Sequence, residues 1–62
     1  MTRKDYVLIA KVINGAVNYE KDFNNNTERA EALTLMAHTF SSVLASENPR
    51  FDRERFLKAC GV

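Results

Sequence analysis

A chain of 62 residues has room for one small domain, because a polymer this short buries only about 60% of the surface its unfolded form exposes. With 45% apolar residues, two glycines and one proline it is too hydrophobic and too poor in breakers for a disordered chain, and one cysteine beside one histidine excludes a disulfide framework and a structural zinc site. The net charge of +1 conceals a gradient, +2 over residues 1–11, −3 over 12–47 and +2 from residue 48 onward, which falls short of the domain-wide basicity of a nucleic-acid binder.

The first predicted element is a helix from about Arg3 to about Tyr19, with Thr2 at the N-cap and Asp5 at the third helical position, where a carboxylate meets unpaired amide groups favourably. At 100° per residue Tyr6, Ile9, Ala10, Ile13, Ala16 and Val17 share one face. Leu8, Val12, Gly15 and Tyr19 form a second apolar stripe, and only the side carrying Lys4, Lys11, Asn14 and Asn18 is clearly polar. A helix apolar around most of its circumference is central to a core or shared with another chain.

The segment from about Glu20 to Asn26 reads as a loop, because consecutive asparagines compete with the helical backbone through local hydrogen bonds. Phe23 carries too much apolar surface for water and is expected to fold back onto the helices. A second helix is predicted over about 27–47, opening near Asn25 or Asn26, where the spacing of Asn25 to Glu28 resembles a capping box. Ala30, Leu33, Ala37, Phe40 and Leu44 recur at three and four residues, with Met36 and Val43 widening the stripe and Leu35 misplaced among the polar residues opposite. Pro49 stops the helix by pushing Asn48 out of helical geometry.

The third helix, predicted over 53–60, has signals at both ends. Asp52 is its cap, Phe51 and Phe56 stand at the positions of a hydrophobic staple, Gly61 suits a left-handed closing residue, and Val62 faces Leu57 as in a Schellman motif.

The start TRKDYVLIAKVI and the end NPRFDRERFLKACG resemble the two ends of small uncharacterised helical proteins encoded by bacteriophages and prophages. The resemblance covers about half the chain. It implies a setting, the cytoplasm of a phage-infected bacterium, and no activity, cofactor or catalytic residue. The stretch from Thr34 to Ser46 is too short and too polar for a membrane span, and the first ten residues lack the cleavage pattern of a signal peptide, so a cytoplasmic protein is expected.

Few side chains offer chemistry. His38 falls on the polar face of the second helix and Cys60 on the buried side of the third, so both read as bystanders rather than a nucleophile and its base. Glu20 with Asp22 and Glu28 with Glu31 read as solvated helix ends, where the dipole favours acids at the start. There is no phosphate loop, paired-histidine metal helix or nucleophile elbow, so no catalytic, metal or cofactor-binding residue is expected and the protein is not read as an enzyme.

Lys58 follows Glu54 by four positions, the favourable orientation for an ion pair. Arg53 and Arg55 instead sit in a first turn, where positive charge opposes the helix dipole, so either acids elsewhere in the fold compensate them or an anionic partner does.

The sequence thus predicts an all-α domain, an antiparallel hairpin of two long helices with a short third helix laid across one open side. Its expected core is Tyr6, Ile9, Ile13, Leu33, Ala37, Phe40, Leu44, Phe51, Phe56 and Leu57. The expected function is that of a phage accessory protein that binds a host or phage protein through Arg50, Arg53, Arg55 and Lys58. The alternative is a DNA or RNA binder using the same basic segment. Leu8, Val12, Tyr19 and Leu35 are the expected contacts of a homodimer, since helical hairpins this small often need a second chain.

Overall fold

A computed structural model describes residues 2–62. Among these residues three helices follow one another: α1 (Arg3–Asp22), α2 (Thr27–Glu47) and α3 (Arg53–Cys60). Each packs on the other two in a body 36 × 18 × 14 Å, with α1 and α2 as the long hairpin and α3 across it. The fold class is therefore all-α, and α2 and α3 occupy the predicted spans.

Each boundary has a local cause. The backbone N–H and hydroxyl of Thr2 donate to Asp5 Oδ2 at 2.9 and 3.2 Å, closing the start of α1. These bonds, the backbone one first, hold the Asp5 carboxyl below its ordinary pKa. The sequence reading ended α1 at Tyr19, but the helix continues to Asp22 because Glu20, Lys21 and Asp22 do not break helices; the asparagines do. Phe23 N–H still donates to the Tyr19 carbonyl at 3.0 Å, and the chain turns at Asn25, whose φ of 49° is left-handed. Asparagine tolerates that conformation better than other non-glycine residues. With Asn25 so placed, the cap of α2 is Asn26, whose Oδ1 accepts the Arg29 N–H at 3.0 Å; the expected pairing of Asn25 with Glu28 does not form.

The link from α2 to α3 is short and held by several hydrogen bonds. Asn48 closes α2 by donating its N–H to the Leu44 carbonyl and takes the extended conformation that Pro49 demands. Its Oδ1 accepts the Arg50 N–H at 3.1 Å and its Nδ2 reaches the Tyr6 hydroxyl on α1 at 3.4 Å. Asp52 Oδ1 then accepts the Arg55 N–H at 3.1 Å as the cap of α3. At the far end Gly61 stands at φ 78°, with Val62 N–H bonded to the Leu57 carbonyl in the Schellman manner. A β-carbon at Gly61 would meet the end of the Asn14 side chain, which can swing aside, so the left-handed backbone is what selects glycine there.

The core is made of small residues at its centre and large ones at its margin. Ala10, Ile13, Val17, Ala37, Phe56 and Cys60 are buried together, and Tyr6, Ile9, Leu33, Phe40, Leu44, Phe51, Leu57 and Val62 pack around them half-buried. Of the expected core, only Ile13, Ala37 and Phe56 are fully enclosed; the expectation overrated bulk and omitted Ala10, Val17 and Ala30, while Cys60, read as lying on the buried side of the third helix, is fully buried. Ser41 is also fully buried, and its hydroxyl is satisfied by donation to the His38 carbonyl at 2.7 Å. Phe23 does not fold back: it is 79% exposed and stacks on Tyr19 with ring centroids 5.5 Å apart, along the outside of α1.

Four aromatic rings tie the three helices together. Tyr6 meets Phe51 edge-on at 4.8 Å, Phe51 meets Phe56 at 5.3 Å, and Phe56 stacks on Phe40 at 6.1 Å. Replacing buried Phe56 with alanine is expected to cost about 3 to 5 kcal/mol, and half-buried Phe51 about 1 to 3 kcal/mol, read by urea denaturation. Equal, negligible losses would contradict this packing. The depressed pKa of Asp5 adds a pH dependence whose sign is fixed. Its stabilising contact is complete above the ordinary carboxylate pKa and is lost as pH falls through the lowered value. Amide resonances of the first turn of α1 should follow that titration, and Asp5→Asn should abolish it.

Candidate partner-binding groove

Where α1, the α2–α3 link and α3 meet, they leave an open groove of about 410 Å³. Its floor is apolar, formed by Tyr6, Val7, Ala10, Phe51, Phe56 and Ala59. Around it stand Arg3 from α1, Arg50 from the link and Arg55 from α3, with Asp52 as the one carboxylate in the lining. The fold places these groups for reasons already visible in the backbone. Asn48 turns the link back toward Tyr6, and the Asp52 cap orients the first turn of α3 so that Arg55 lies on the groove side.

Electrostatically the groove is unbalanced. Asp52 is committed to the Arg55 amide, and the one ion pair among the described residues is Arg29 with Glu20 at 4.0 Å, at the other end of the hairpin. Arg3, Arg50 and Arg55 therefore surround the apolar floor with no ion-pair partner among the described residues. The amino end of α3, with its own partial positive charge, adds to them. Such an arrangement can take a carboxylate or phosphate in bidentate fashion while an apolar side chain covers the floor.

The structure divides the four basic residues that the sequence grouped. Arg50 and Arg55 belong to the groove. Arg53 lies outside the groove lining and donates from Nη2 to Ser42 Oγ on α2 at 3.2 Å. Lys58 lies outside the groove, and the expected Glu54–Lys58 ion pair is not formed among the described residues. Arg3 is the groove residue that sequence reasoning missed. Only its place on α1 beside Tyr6 and Val7 could have signalled it, and that requires knowing where α3 lies.

The expected dimer contacts also separate. Leu8, Val12 and Tyr19 are exposed on α1, whereas Leu35, 69% exposed, lines a shallow apolar depression with Met36, Phe40 and Val43 that belongs wholly to α2. Cys60 is sealed in the core, where burial pushes its thiol pKa up and away from the reactive thiolate. His38 is exposed on α2, its carbonyl accepting from Ser41 and Ser42. Among the described residues no three His, Cys, Asp or Glu side chains gather as metal ligands, and no helix is long and apolar enough to cross a membrane.

No family model, curated protein or solved structure matches the chain.

Because Arg3, Arg50 and Arg55 make no internal ion pair, their stabilities as glutamine variants should lie within about 0.5 kcal/mol of the wild type. Arg55→Gln should fall on the stabilising side, since it removes a positive charge from a helix start. Urea denaturation checks both expectations, and a large loss for any of the three would assign it a structural contact.

Proposed function

We propose that the chain is a non-enzymatic binding protein, a phage accessory factor that captures an acidic segment of a host or phage protein in the groove between α1 and α3. The observation that carries this reading is the set of unpaired arginines, Arg3, Arg50 and Arg55, around an apolar floor. A protein segment bearing carboxylates beside an apolar side chain satisfies both parts of the groove at once. Bare nucleic acid satisfies only the charges, and the protein's net charge of +1 supplies little long-range attraction to it. The proposed setting is the bacterial cytoplasm, and the reading includes self-association through the second apolar stripe of α1, where Leu8 and Val12 stay exposed.

The test is affinity capture from extracts of host and infected cells followed by mass spectrometry, with wild type and an Arg50→Gln/Arg55→Gln variant side by side. The variant is expected to remain folded by circular dichroism and to lose the partner. A variant that retains the partner at unchanged affinity would overturn the groove assignment. Recovery of nucleic acid, bound with an affinity that falls steeply and linearly with salt on logarithmic axes, would replace the protein partner with the alternative reading.

A further inference from the structure

The outward face of α1 carries a pattern that the single chain does not use. Leu8, Val12, Gly15, Tyr19 and Phe23 recur at four, three, four and four residues and fall within an arc of about 80° on the helical wheel. That arc lies opposite Ala10, Ile13 and Val17, which face the core. Leu8, Val12, Tyr19 and Phe23 are each more than half exposed. Gly15 sits at the middle of the helix and of the stripe, where glycine is the poorest helix former after proline. A β-carbon there would meet nothing within 4 Å, so nothing inside the chain requires glycine.

We infer that a second copy of the chain packs on this face with its α1 antiparallel to the first and the two Gly15 residues at the twofold axis. The inference rests on the self-association proposed above and adds its geometry. The stripe is nearly palindromic about Gly15, so inversion sets Leu8 against Phe23 of the second copy and Val12 against its Tyr19, an aliphatic side chain on an aromatic ring in every outer layer. Gly15 against Gly15 lets the helix backbones approach closely at the centre.

Charge points the same way. One edge of the stripe carries Lys4, Lys11, Asn18 and Asp22 in that order, basic at the start and acidic at the end. In an antiparallel pair related by a twofold axis this edge meets its own inverted copy. Asp22 then falls between Lys4 and Lys11 of the second copy, about 6 Å from the first and about 4.5 Å from the second along the axis. In a parallel pair the edge would instead meet the opposite edge of the second helix. There Asp5 is already held by Thr2, and Asp22 would stand near the acidic Glu20. Antiparallel helix dipoles also attract.

Sedimentation equilibrium of the intact chain, its Leu8→Lys/Val12→Lys and Gly15→Leu variants, and a Met36→Lys/Val43→Lys control tests the surface. All substituted positions are exposed, so each variant should keep its helical spectrum. The expected result is a dimer that the Leu8/Val12 variant weakens by at least about a hundredfold through desolvation of two charges, that Gly15→Leu weakens by at least about tenfold, and that the control leaves intact. A wild-type monomer at the highest soluble concentration would overturn both the self-association and its geometry. A dimer lost only in the control would move the interface to α2 and overturn the inference. Orientation is read by spin labels on Lys4→Cys, with Cys60 protected by burial. Antiparallel packing separates the two labels by about 33 Å along the common axis, and parallel packing sets them at the same height. A short separation in a stable dimer would overturn the antiparallel arrangement while leaving self-association standing.

Discussion

Phe56 is the side chain on which the three-helix arrangement depends. Among the described residues it is the one aromatic side chain fully enclosed by the core, and it stands in contact with Phe51 on one side and Phe40 on the other, with Tyr6 joined through Phe51. One ring thereby connects the link, α2 and, at one remove, α1. A helix of eight residues has little intrinsic stability of its own, so α3 exists because Phe56 anchors it and because Asp52 and Gly61 satisfy its ends. The groove is a consequence of the same anchor. With Phe56 fixed and Phe51 stapled to it, the link must run past Tyr6, and Arg50 and Arg55 are carried to the mouth of the space between α1 and α3.

The small residues around Phe56 set a second constraint. Ala10, Ala30, Ala37, Ser41 and Cys60 let the helices come close, and close helices enclose little volume, so bulky apolar side chains are pushed to the margin or outside. A domain of this size cannot bury all of them in any case. Val7, Leu8, Val12, Tyr19, Phe23, Leu35, Met36 and Val43 accordingly stay exposed. They fall in three places: Val7 on the groove floor, one row along the outside of α1 and one depression along α2.

How much of this was legible in the sequence follows the range of the interactions involved. Caps, staple and Schellman closure act over a few residues, so the spans of α2 and α3 could be read directly from Pro49, Asp52 and Gly61. The end of α1 was misplaced because the asparagine run was taken to govern the three residues before it, whereas Glu20, Lys21 and Asp22 stay helical and only Asn25 adopts a turn conformation. Helical periodicity identified the right face of each helix but ranked its residues by size. The centre of the core went to alanines, a serine and a cysteine, a choice that depends on how closely the helices approach. Phe23 was misjudged for a related reason: burial was inferred from its bulk, yet a stacking partner one turn earlier, Tyr19, was available on the outside. The candidate site was half legible. Arg50 and Arg55 stood out as charges in local conflict with a helix start, but Arg3 and the apolar floor come from α1, far away in the chain, and no local rule brings them together.

The electrostatics of the groove determine what kind of recognition it can perform. Arg55 and the amino end of α3 are both positive, Asp52 offsets part of that charge, and Arg3 and Arg50 restore it. The acidic middle of the chain nearly cancels the sum at a distance, leaving a net charge of +1. At physiological salt the field of such a site is screened within about 8 Å, so it does little to steer a distant ligand. Its strength lies at contact, where three guanidinium groups border an apolar floor that removes water from any bond formed beside it. A charge-assisted hydrogen bond gains most in that environment, and a ligand that brings charge without an apolar group leaves the floor wet. On the proposed reading, selectivity for a segment that combines the two would follow from the floor and the arginines acting together.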